Sequence, residues 1–115
     1  MVKRFIRGTA PTGVDDDFRS PTILQNVVTN YLRTTVVSND TGTGTLTVQS
    51  VDSTSTQGAS VSLSGVNVQY DPTAAPTLIA LDSGSFLNDT FDYVVDGDTN
   101  PDGSATITVR VEGVN

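Results

Sequence analysis

Apolar and polar residues alternate one by one through most of this chain, and that two-residue period confines the fold to sheets. The last run is the clearest. Ala105, Ile107, Val109 and Val111 fall on one side, with Thr106, Thr108, Arg110 and Glu112 on the other. Successive side chains of a strand point to opposite faces, so such a run buries one face and wets the other. Phe91, Tyr93 and Val95 alternate in the same way with Asp92, Val94 and Asp96. Ala59, Val61 and Leu63 share a face, as do Val66, Val68 and Tyr70 after the Gly65 turn, and Leu46 with Val48 in Thr45–Gln49. Thr22–Val28 and Tyr31–Val37 are β-rich and read as a pair or as one bent strand, with Phe18 on the first strand of the domain. Thr77–Leu81 reads as a strand or a single helical turn. Turn-forming clusters at 39–44, 53–58, 71–72, 82–84 and 96–103 separate the runs. Seven or eight short strands at about ten-residue spacing predict an all-β sandwich or barrel.

At 115 residues the chain fits one domain, which buries enough surface to hold a core without covalent staples. None is on offer, because there is no Cys, and disulfides and thiolate metal sites are excluded. There is also no His, the commonest general base and transition-metal ligand. Charge is unevenly placed. Lys3, Arg4 and Arg7 carry half of the six basic residues, and setting those three cations aside takes the net charge from −7 to −10. Residues 1–13, with Gly8, Pro11 and Gly13, read as an N-terminal arm outside the core, and 14–115 as the sandwich.

An acidic body repels nucleic acid and anionic lipid and suits a Ca²⁺ ion or a basic protein surface. No apolar run follows the basic Met1–Arg7 stretch, so it does not read as a secretory signal. No segment approaches the roughly 20 apolar residues of a membrane span. The chain is therefore expected to be a whole protein made without export, or else a module cut from a longer secreted one.

The order of the segments resembles one unit of the bacterial cadherin-like, tandem-repeat immunoglobulin superfamily. The likeness is carried by Ala10-Pro11 with Val14-Asp15-Asp16-Asp17-Phe18, by Val36-Val37-Ser38-Asn39-Asp40-Thr41, and by the strand Thr45–Val51. Val68-Gln69-Tyr70-Asp71-Pro72, Asp89-Thr90-Phe91-Asp92-Tyr93-Val94-Val95-Asp96-Gly97 and the closing Ala105–Val111 continue it to Val114-Asn115. Two features depart from the family. Gly42-Thr43-Gly44 stands where the family has an acidic loop, and residues 73–88 are longer and more apolar than its usual link. The resemblance implies an immunoglobulin-like (cadherin-like) antiparallel β-sandwich of seven to eight strands with an extended N-terminal arm. A Tyr at position 93 is then expected to bond to backbone at the corner entering its own strand, as a fold residue.

Asp98-Thr99-Asn100-Pro101-Asp102-Gly103 fits the first half of a Ca²⁺ loop, with oxygen ligands at alternate positions and a Gly for the turn. The carboxylate that closes such a loop is missing, since Val109 occupies its place. In the resembled family, carboxylates at the position of Asp15 and Asp17 bind Ca²⁺. On a strand, three successive Asp cannot all face one ion. The bland alternatives are a polar hairpin turn and a solvated acidic turn. No other cofactor is expected.

Catalysis is not expected. Lys3 is the only Lys, so even a Ser/Lys pair would draw on the arm. Asp89 and Asp92, the nearest carboxylate pair, fall on opposite faces of one strand. Asn39-Asp40-Thr41 and Asn88-Asp89-Thr90 match glycosylation acceptors and are read as turns. The arm residues Lys3, Arg4, Phe5, Ile6 and Arg7 combine cations with apolar groups. They suit an acidic partner surface or an added strand, with a disordered tail as the bland reading.

The expected function is a non-enzymatic structural module, homo-oligomeric in a larger assembly and without nucleic-acid or membrane partners. A virion fits best, as capsid decoration, capsid cement or a tail protein, with capsid or tail subunits as partners. The alternative is one repeat of a secreted bacterial surface adhesin or a carbohydrate-enzyme accessory module, extracellular or on the cell surface, and Ca²⁺-binding.

Overall fold

The computed structural model describes residues 8–99 and 101–114. Seven strands and two single helical turns follow one another as β1 (Asp16–Leu24), β2 (Thr29–Leu32), α1 (Arg33–Val36), β3 (Thr47–Val51), β4 (Ser60–Ser64), β5 (Asn67–Asp71), α2 (Pro76–Ile79), β6 (Phe86–Asp96) and β7 (Gly103–Glu112). They form a four-stranded sheet in the order β1-β7-β6-β3 and a three-stranded sheet in the order β2-β5-β4, which makes an all-β sandwich.

The alternating runs become the inner faces. Phe91, Tyr93 and Val95 of β6 and Ala105, Ile107, Val109 and Val111 of β7 are buried, and Val61, Val68 and Tyr70 face them from the smaller sheet. Each fully buried aliphatic or aromatic side chain of this size contributes about 1.5–3 kcal/mol. The β6–β7 hairpin is paired without interruption from Phe86↔Glu112 to Val95↔Gly103.

Four local expectations change. β1 lies parallel to β7, so the sandwich is not wholly antiparallel. Thr22–Leu24 and Thr29–Leu32 belong to different sheets, and residues 33–36 are helical where a β-rich strand was expected. That turn lets the chain leave one sheet for the other while driving Val36 fully into the core, so packing overrides a weak local preference. Val66 does not share the buried face of Val68 and Tyr70, for it stands at the β4–β5 turn with 70% of its surface exposed. In 77–81 the helical alternative holds, with Pro76 at the first helical position and Leu78 buried.

Residues 8–13 of the expected arm run against the sandwich. Pro11 is buried and Thr12 pairs with Thr41. The arm residues Lys3, Arg4, Phe5, Ile6 and Arg7 lie outside the described residues.

Candidate functional site

The end of the sandwich that receives residue 8 gathers most of the notable chemistry. Thr9 N–H donates to Thr43 Oγ1 at 2.6 Å, and Thr43 N–H donates to Thr9 O at 3.0 Å. Thr12 and Thr41 exchange backbone hydrogen bonds of 2.7 and 3.1 Å. Pro11 and Leu46 close on Gly97, where an added Cβ would lie 2.9 Å from Leu46 and 3.0 Å from Pro11. Gly44, at φ +82°, holds a left-handed conformation with the Asp98 carboxylate against it, a backbone that favours glycine.

Beside this junction a groove of about 280 Å³ opens between the two sheets, lined by Leu32, Arg33, Thr34, Leu46, Thr47 and Val66, with Gly65 at the turn. Its walls are largely apolar, and Leu32 and Val66 are 51% and 70% exposed. Arg33 Nε is buried with no hydrogen-bond partner among the described residues. The β6–β7 hairpin supplies carboxylates at the rim, for Asp96 pairs with Thr47 across the sheet and Asp98 N–H donates to Thr43 O at 3.2 Å. Asp102, beside Asp96, has its carboxyl pushed above its ordinary value by desolvation, then by its hydrogen bond with Asp96 and the Asp96 charge, with Gln49 opposing.

Beneath the junction, two carboxylates meet one phenol. Tyr93 donates to Asp40 at 2.6 Å to one carboxylate oxygen, and Val14 N–H donates to Asp40 Oδ1 at 2.7 Å. Tyr93 therefore does not bond to backbone at the start of its own strand. Its partner is a side chain from the α1–β3 connection, with Val14 O a longer contact at 3.3 Å. Asp16, facing inward opposite Ile107, has Oδ2 buried and unpartnered. Burial pushes its carboxyl up to about 6, Tyr93 works against that, and the Asp40 charge adds to it. The Tyr93 hydroxyl is pushed well above the usual phenol range by burial and by its bond to Asp40.

The described members of the expected Ca²⁺ set have other neighbours. Asp17 spends both carboxylate oxygens on Arg19, at 2.8 Å each, which holds its carboxyl down to about 2. Asp15 Oδ1 accepts Thr106 N–H at 2.9 Å. Asp98 packs on Gly44, Asp102 sits beside Asp96, and Asn100 lies outside the described residues. Among the described residues no three acidic side chains are grouped as they would be around a metal ion.

Asp89 is also no turn residue. It lies on the inner face of β6, 1% exposed, while Asp92 is exposed on the outer face. Asn88 likewise lies within β6, where its side-chain oxygen accepts from Arg110 at 3.3 Å. The groove went unread in the sequence because its residues come from three separate connections and no local pattern marks them. Asp16 was legible, since it shares strand parity with Phe18.

No described helix is long and apolar enough to cross a membrane. Comparison with family models, curated proteins and solved structures found no match.

Proposed function

We propose that this chain is a non-enzymatic structural module with an immunoglobulin-like, cadherin-like sandwich, docked into a large protein assembly through its arm, Lys3–Arg7. The assembly we favour is a virion, with the module decorating or cementing a capsid or belonging to a tail, and protein subunits as its partners.

The observation that carries this reading is the arm–body junction. A basic segment bearing Phe5 and Ile6 is joined, through a stretch hydrogen-bonded at Thr9 and Thr12, to an acidic sandwich. The hydrogen bonds at Thr9 and Thr12 fix the point on the body from which the basic segment departs. The strand order, with the first strand beside the last and parallel to it, supports the immunoglobulin-like assignment. A chain without His or Cys and with one Lys has few routes to acid–base or nucleophilic chemistry.

Deleting residues 1–8 is expected to abolish incorporation into the native particle, scored by electron microscopy and sedimentation. Unchanged incorporation refutes the arm's role. The ordered motif likeness favours a second reading, a single repeat of a surface adhesin or accessory module. A reading frame of thousands of codons around this sequence would decide for it, and a short frame among capsid genes against it.

A further inference from the structure

The groove and the arm's point of attachment share one end of the sandwich, and that juxtaposition suggests what fills the groove. We propose that the groove lined by Leu32, Leu46 and Val66 is the receptor for the arm of a second copy of this chain. Phe5 and Ile6 would enter the groove, and Lys3, Arg4 and Arg7 would lie on the carboxylates of the β6–β7 hairpin. The inference rests on the reading of the arm as a docking element and names its partner.

Three observations carry it. The first is complementarity. The arm places two large apolar residues among three cations, and the groove places apolar walls beside Asp96, Asp98 and Asp102. Apolar burial supplies the attraction, and opposite charge sets register and speeds encounter. The second is reach. Seven residues precede Gly8, a span of at most about 25 Å when extended, which is enough to cross an end-to-end contact and enter a facing groove.

The third is the chain's course. From Gly8, beside Thr43 and Thr99, it passes Pro11 at Gly97 and Gly103, then Gly13 at Ser104, and joins β7 at Asp16. It thus runs from the hairpin tip into the sandwich. The chain therefore enters the body at the same end as the groove, which Leu46 beside Pro11 also lines. A copy facing it end to end receives its arm. Because donor and receptor sit on the same end, two copies satisfy each other reciprocally, which closes the assembly as a twofold dimer.

The native chain has no Cys, so single introduced thiols report cleanly. Full-length Phe5→Cys and Val66→Cys, differently tagged and mixed under mild oxidant, should cross-link to each other. Light scattering of the unmodified chain should give a dimer mass. That mass should fall to a monomer in Val66→Glu, in Leu32→Ser and in Phe5→Ala/Ile6→Ala, with thermal unfolding of the body unchanged. Both groove positions are exposed, and either variant serves if the other unfolds. A dimer that is lost on deleting residues 1–7 but survives both groove variants overturns the groove assignment and leaves the arm reading standing. A dimer that survives the deletion overturns both. A monomeric unmodified chain, or cross-linking within one chain of the Phe5→Cys/Val66→Cys double variant, overturns the exchange between copies.

Discussion

Asp89 and Asp16 are both aspartates of the four-stranded sheet with side chains turned inward, 1% and 6% exposed, yet the fold treats them in opposite ways. Asp89 is met by four donors. Ser55 Oγ and the Tyr70 hydroxyl each lie 2.5 Å from Oδ2, and the backbone N–H groups of Gln57 and Thr90 reach Oδ1 at 2.9 and 2.8 Å. Ser55 Oγ accepts Ala59 N–H at 2.9 Å, so one carboxylate ties the β3–β4 connection to β5 and β6. Asp16 has one oxygen without a partner, and the Asp40 and Asp15 charges bear on it. Burying a carboxylate is costly in both places, and the donors decide the outcome. Around Asp89 the sandwich is locked. Around Asp16, at the arm-bearing end, it carries a carboxylate that is only partly satisfied.

The largest test removes the lock. Asp89→Ala strands four donors and is expected to cost about 3–5 kcal/mol in chemical denaturation, a large share of a total near 5–15 kcal/mol. A loss below about 1 kcal/mol would erase the contrast. Asp16→Asn is expected to act in the other direction, stabilising the protein at pH 7 by about 1–3 kcal/mol. The folded carboxyl holds its proton up to about pH 6, whereas the unfolded one releases it near 3.8. Between those values the folded state binds more protons. The native chain's stability therefore falls as pH rises from about 4 to about 6, and the Asn variant should lack that fall in a pH series of denaturation curves.

Tyr70→Phe removes a single donor from Asp89 and keeps the ring that stacks on Phe91, so about 1–2 kcal/mol is expected. That value sharpens the comparison by showing how the lock is shared among its donors. Arg19→Ala should leave the melting temperature unchanged at neutral pH. The Arg19–Asp17 pair is well formed but exposed, with side chains 44% and 61% accessible, and water screens what burial would have amplified.

Much of the sandwich could be read from the two-residue period, because inward parity and burial agree along β6 and β7. Asp89 has the same parity as Phe91, Tyr93 and Val95, yet its segment reads in the sequence as a turn and not as a polar residue in a buried row. The sequence offered no hint that Ser55 and Tyr70, tens of positions away, would satisfy it. Arg33–Val36 defeated the pattern because its β-branched residues obey the demand to bury Val36 rather than their own preference. The partner of Tyr93 was misjudged for a related reason. Asp40 lies in a connection with no period, and only tertiary packing brings it to the phenol.

The parallel pairing of β1 with β7 also decides how the molecule answers a pull. β1 starts at the arm-bearing end, and β7 finishes at the opposite one, where Leu24 faces Glu112. Tension between the arm and the far end of β7 therefore acts along both strands and loads their ladder in shear. The pairs Asp16↔Ile107 to Phe18↔Val109 and, beyond a register shift, Ile23↔Val111 and Leu24↔Glu112 then share the load instead of opening one after another like a zip. Along that axis the parallel pair is loaded in its stiffest direction, whereas a pull across the strands would part the pairs in turn.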